Sequence, residues 1–141
     1  MEDERGDITE LLHPAWNFSP ASLVQVYRTA LRPGAIRGWV VHQKQEDRIA
    51  VTDGAMTWAF FDNREKSPTY KLLNVLTFSE RTRTLFNIPV GVFHAVKNVG
   101  ETEAVFVNMP TRPYDHADPD KYRLPLKNDL IPFDFSRPFR G

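Results

Sequence analysis

Two stretches decide the fold: Gly34-Ala35-Ile36-Arg37-Gly38-Trp39-Val40-Val41-His42-Gln43-Lys44-Gln45-Glu46, and Pro89-Val90-Gly91-Val92-Phe93-His94-Ala95-Val96-Lys97-Asn98. Each opens on a glycine- or proline-marked turn and passes into a run of β-branched and aromatic residues. Such runs fit a pleated, half-buried strand better than a helix. Outward from them the same rhythm repeats. Residues 23–31 are rich in β-formers and stop at Arg32-Pro33-Gly34. Segments 48–52 and 55–61 flank Asp53-Gly54, a turn dipeptide, and so read as a hairpin. Residues 70–78, 83–88, 92–96 and 104–107 complete a set of short strands with polar or glycine-bearing turns between them. Short strands at this spacing, without helical periodicity or an internal repeat, predict an all-β sandwich or barrel.

The chain of 141 residues suits one domain with one core. Eighteen basic residues balance eighteen acidic ones, which argues against nucleic acid or an anionic membrane surface as partner. Without cysteine, no disulfide framework or thiolate chemistry is available. The polar, acidic-rich start is unlike a signal peptide, and no later stretch is apolar over a membrane-spanning length. These features predict a soluble, cytoplasmic protein. Residues 1–20 read as an N-terminal arm, 21–108 as the β-domain and 109–141 as an extended arm. In the last segment Pro110, Pro113, Pro119, Pro125, Pro132 and Pro138 fix the backbone, while interleaved aromatics supply apolar surface to pack on the domain or a partner subunit. Residues 136–141 are expected to fray.

The two opening strings resemble the paired signatures of the cupin superfamily. In the second, Pro89, Gly91, His94 and Asn98 stand at the cupin spacing, with Arg83 in place of its leading glycine. In the first, His42 and Glu46 fit, and Val40 replaces the first histidine. Further strings, Asp62-Asn63-Arg64 with Ser67-Pro68-Thr69-Tyr70, Ile88-Pro89-Val90-Gly91 before His94, and Thr111-Arg112-Pro113-Tyr114, resemble dTDP-4-dehydrorhamnose 3,5-epimerases over roughly residues 23–120. The resemblance implies a cupin double-stranded β-helix, a jelly-roll barrel, with the Pro-rich arm appended. It also implies a homodimer that binds a nucleotide-sugar inside the barrel, in deoxysugar or polysaccharide biosynthesis. Family members remove protons alpha to a ketone with a His–Asp pair, and a Tyr donates from the other face. Arg37 matches the family's phosphate-contacting Arg, Arg48 its enolate-supporting Lys, and His94 a pocket His; Tyr114 falls in a matching string. Val40 stands where the base His belongs, and the acid Tyr falls at Val107 or Asn108. An isopropyl group takes no proton, so the orthodox double epimerisation is not expected.

The residues leave two site chemistries open. Period-two alternation could turn Val40, His42 and Glu46 inward to meet His94. His42, Glu46 and His94 would then form a two-His, one-carboxylate set suited to Fe, Mn, Ni or Zn, although Lys44 on the same face opposes a metal. The competing expectation is a metal-free, hydrogen-bonded polar cluster in a substrate pocket, with Arg37, Arg48 and Tyr114 binding substrate and no cofactor. His42, His94 and His116 are the candidate acid–base residues, with His116 a possible replacement for the missing base. Which sugar is bound, and whether it is turned over, stays open.

Overall fold

The computed structural model describes residues 2–137. Its strands are β1 (Glu2–Asp3), β2 (Gly6–Asp7), β3 (Tyr27–Leu31), β4 (Ile36–Val41), β5 (Asp47–Asp53), β6 (Ala55–Asp62), β7 (Leu73–Ser79), β8 (Leu85–Ile88), β9 (Val92–Asn98), β10 (Ala104–Asn108) and β11 (Tyr122–Arg123), with one 3-10 turn at Pro14–Trp16. β1 and β2 pair with each other. A four-stranded sheet runs β3-β10-β5-β8 and faces a five-stranded sheet, β11-β4-β9-β6-β7; every pairing is antiparallel.

The closed barrel is not formed. β3 and β8 end one sheet, β11 and β7 end the other, and no ladder joins them. The architecture is a two-sheet, cupin-like sandwich. Where the edges stay apart the sheets splay, and cavities open there. One is lined from β3, β10 and β5 on one side and from β4, β9 and β6 on the other. A second lies between β7 and β8, lined by Phe60, Leu76, Phe78 and Phe86.

The Asp53-Gly54 turn is not a hairpin either. β5 pairs with β10 and β8, whereas β6 pairs with β7 and β9, so the turn carries the chain from one sheet to the other. Gly54 has φ +72°, and a Cβ there would stand 2.8 Å from the Glu103 carbonyl oxygen. The turn signal was sound, but turn chemistry does not specify which strands pair across it.

Alternation explains the core. Ile49 and Val51 on β5, Met56 and Trp58 on β6, Val96 on β9 and Phe106 on β10 point between the sheets and are buried. Burying a side chain of this size stabilises by about 1.5–3 kcal/mol. The opposite parity of the five-stranded sheet carries Trp39, Val41, Ala59, Phe61, Phe93 and Ala95. This outer face is covered by Ile131, Phe133 and Phe135, with Trp39 meeting Phe133 edge-on at 6.3 Å. Residues 138–141, part of the segment expected to fray, lie outside the described residues. No helix among the described residues is long and apolar enough to cross a membrane.

Candidate functional site

The cavity of about 180 Å³ between β3 and β4 is lined by polar side chains from both sheets. A shift of register between Arg37 and Val40 lets both residues reach it from β4. Gly38 makes this possible: its φ is +130°, and a Cβ would lie 2.4 Å from that of Ala95 on β9. Past Val41 the chain leaves the sheet in a turn. Backbone N–H groups of Gln43, Lys44 and Gln45 all donate to the Asp120 carboxylate at 2.8–2.9 Å. That turn shifts the alternation by one. Lys44 points outward to Asp118 at 3.4 Å. Glu46 is also diverted, accepting from the Asn87 amide. The carboxylate that arrives beside the histidines is Asp47, one residue later.

Asp47 is 3% exposed. Its Oδ2 lies 3.0 Å from His42 Nε2 and 3.5 Å from His94 Nε2, and Gln45 Nε2 donates to Oδ1 at 2.9 Å. Burial opposes its ionisation, but the His42 hydrogen bond and the two rings' charges outweigh burial and hold its pKa at about 2. His42 faces acceptors on both sides: Nδ1 meets the Asp120 carbonyl oxygen and Nε2 meets Asp47. Desolvation alone would depress its pKa; the Asp47 hydrogen bond and charge, with Asp120, raise it instead. A ring with two acceptors is stabilised as imidazolium. His94 differs. Burial drives its pKa down to about 4, and its Nδ1 lies 3.2 Å from the Val92 carbonyl oxygen. Nδ1–H then donates there, leaving the Nε2 lone pair toward the cavity. The two rings should therefore titrate apart in a pH series of histidine NMR shifts, His42 above 6.5 and His94 near 4. Coincident titration near 6.5 would contradict the assigned proton positions.

The donor atoms of His42, Asp47 and His94 all lie within 4.8 Å of one another, so this cluster can coordinate a metal ion. Glu46 has no part in it. Arg48 is displaced too. It lies on the other face of β5, 1% exposed, and donates to the carbonyl oxygens of Ala21, Ser22, Met109 and Pro110. It ties the sheet to the neighbouring loops and does not line the pocket. Arg37 does line it and is exposed. Tyr114 lines it as well, its backbone N–H held by Gln25 Oε1 at 2.8 Å. His116 packs edge-on against the Tyr114 ring at 4.6 Å, exposed, outside the cavity lining.

Polar pocket residues that escaped the sequence reading include Asp47, Tyr27, Gln45 and Lys121. Asp47 was legible in principle, because it is two residues before Ile49 and shares its inward parity. Lys121 was hidden in an aperiodic segment. Desolvation, then Arg123 and Arg37, lower its pKa, so three cations crowd the same region. The Asp62-Arg64-Ser67-Thr69 string is a structural knot. Arg64, then Ser67 and Thr69, bond the Asp62 carboxylate and hold its pKa far below the usual range.

An antiparallel sandwich with a histidine–carboxylate pocket between its sheets is a cupin-like fold. The family model described as dTDP-4-dehydrorhamnose 3,5-epimerase matches residues 1–128, and the chain belongs to that family. It is 31% identical over 140 residues to the probable low-salt glycan biosynthesis epimerase Agl13 of Haloferax volcanii, covering 99% of this chain and 90% of that protein. It is also 31% identical over 142 residues to the spore coat polysaccharide biosynthesis protein SpsL of Bacillus subtilis, covering 98% and 91%. Among solved structures, a dTDP sugar isomerase from Desulfovibrio desulfuricans superposes with a TM-score of 0.86 at 25% identity, over 96% of this chain and 85% of that one.

Proposed function

We propose that this chain binds a nucleotide-diphospho-sugar between its sheets and acts on the sugar as an atypical isomerase or epimerase, in the building of a polysaccharide or deoxysugar. The observation that carries this reading is the polarity of one pocket. Exposed Arg37 and Lys121 lie where it opens, and an unprotonated His94 Nε2 stands beside Asp47 in its depth. At about 180 Å³ the cavity is smaller than the usual range for a whole drug-sized ligand. It suits the sugar, with the diphosphate left at the mouth, where a guanidinium can bind it through paired hydrogen bonds. The names of the relatives support the same class of substrate.

His94 is the base in this scheme. It takes a proton alpha to a sugar ketone, and Asp47 stabilises the imidazolium that forms. Lys121, electrostatically coupled to both Asp47 and His94, offsets the enolate's charge. Val40 keeps the usual base position apolar, so chemistry at a single carbon is favoured over double epimerisation. Two chains pairing as a homodimer belongs to the same proposal.

The binding half is tested by thermal shift with dTDP. At a hundred times the dissociation constant, ligand should stabilise the fold by about 2.7 kcal/mol. Arg37→Ala should remove most of the shift. No shift with dTDP or any other nucleoside diphosphate would sink the reading.

A second reading rests on the His42–Asp47–His94 cluster: a metal-dependent enzyme acting on another small molecule. Metal binding would have to displace the His42–Asp47 hydrogen bond and strip a proton that two acceptors hold. That cost favours the metal-free reading. One tightly held equivalent of metal in untagged protein, lost in His94→Ala, would reverse the preference.

A further inference from the structure

Asn108 occupies a position where the family resemblance puts the proton-donating Tyr, and a carboxamide is no substitute for a phenol. A phenol nevertheless reaches the same spot from the next strand. Tyr27 on β3 is the register partner of Asn108 on β10. Both line the cavity, and Asn108 Nδ2 donates to Tyr27 Oη at 2.7 Å.

The direction of that hydrogen bond matters. The Asn108 amide also faces the Asp47 carboxylate and favours its ionised form, as an N–H group does and an amide oxygen does not. Flipping the amide would set Oδ1 against that negative charge. The orientation is therefore fixed although it leaves Asn108 Oδ1 buried without a partner. Tyr27 Oη is thus an acceptor toward Asn108. Among the described residues no group accepts its own hydrogen, which is left to point at whatever fills the cavity. Asn108 is a positioning residue: it holds the phenol oxygen in place and links it to Asp47. Tyr27 belongs to the four-stranded sheet and His94 to the five-stranded one, so the two groups flank the cavity from opposite walls.

We infer that Tyr27 is the proton donor of this pocket, acting on the face of the substrate opposite His94. The inference rests on the isomerase reading above. In the first half-step His94 Nε2 takes the proton alpha to the ketone, and the C–H electron pair moves into the enolate. In the second, Tyr27 Oη–H breaks as a new C–H bond forms on the opposite face; the phenolate left behind recovers a proton from water at the open mouth, and the His94 imidazolium gives its proton back to solvent. Net change is inversion at that carbon, with no co-reactant. Tyr27 is 40% exposed, which gives the phenolate that access.

The test is Tyr27→Phe, which deletes one partly exposed oxygen, assayed with dTDP-4-keto-6-deoxyglucose in D₂O. The dTDP thermal shift reports binding, loss of the alpha-proton NMR signal reports abstraction, and appearance of inverted sugar reports donation. The expected result is an unchanged thermal shift, exchange within a few-fold of wild type, and product formation lower by about 10²–10⁴-fold, the range for one general acid. Wild-type product formation in Tyr27→Phe would overturn the Tyr27 assignment and leave the isomerase reading standing. Loss of the thermal shift would make the phenol a binding group, and loss of exchange would make it part of abstraction; either overturns the inference. A wild-type protein that binds the sugar but neither exchanges nor inverts it would overturn both readings.

Discussion

Asp47→Asn is expected to lower stability by about 3 kcal/mol at pH 6, measured by urea unfolding. Two ways of sizing the same interaction bracket this value. A carboxyl held at about 2 against an unfolded value near 3.8 contributes about 2 kcal/mol at about 1.4 kcal/mol per pKa unit. Breaking a buried ion pair by removing one partner costs about 3–5 kcal/mol, because the remaining charge is stranded. The pH dependence gives a sharper signature. The Asp47 contribution is fully present above its unfolded pKa and is lost as pH falls through about 2. The raised pKa of His42 makes its contribution full below 6.5 and lost as pH climbs through the folded value. The depressed pKa of His94 acts the other way, eroding stability as pH falls from 6.5 toward 4. Among these three groups, wild-type stability should peak near pH 6.5. In Asp47→Asn the alkaline decline due to His42 should vanish. A loss below about 1 kcal/mol with an unchanged pH profile would mean that desolvation of the pair cancels its attraction.

The strands were legible because their alternation is strong: inward Ile49, Val51, Met56, Trp58 and Phe106 are separated by residues of the opposite face. Closure was not legible. Whether edge strands meet depends on packing between residues distant in sequence, such as Tyr27 and Thr29 on β3 and Arg37 and Val40 on β4, which line the cavity between the sheets. The carboxylate was placed one residue early for a similar reason. Period two holds along a strand, but Asp120, more than seventy residues away, captures three successive N–H groups and tightens the turn before β5. Arg48 was misjudged because a basic residue in a strand was read by motif position, not by parity. Next to inward Asp47, it had to face out. His42 and His94 do converge, at 5.4 Å between ring centroids, since each keeps the inward parity of its own string.

The electrostatic contrast between these histidines bears directly on turnover. An imidazolium cannot accept a proton, so His42, bonded to acceptors on both nitrogens, is unsuited as the base. His94 retains a free lone pair in the cavity and is neutral over the physiological range. One base on one wall can reach one alpha carbon of a bound ketone. His42 and Asp47 help by keeping that wall charged and oriented without removing protons themselves. The exchange experiment with dTDP-4-keto-6-deoxyglucose in D₂O should therefore show loss of one alpha-proton signal, not both. In His94→Gln that exchange should fall by about a thousandfold, in line with loss of a general base. In His42→Gln, which preserves a donor toward Asp47, it should fall much less, because the positioning charge is lost while the base stays. Rapid exchange at both C3 and C5 would reveal a second base and restore the family's orthodox double epimerisation despite Val40. Equal losses in the two variants would mean that the histidines work as a single unit, and the division of labour drawn from their hydrogen-bond partners would fail. Absence of exchange in the wild type, with dTDP still bound, would mark the pocket as a sugar-nucleotide binding site in which the histidine pair serves recognition alone.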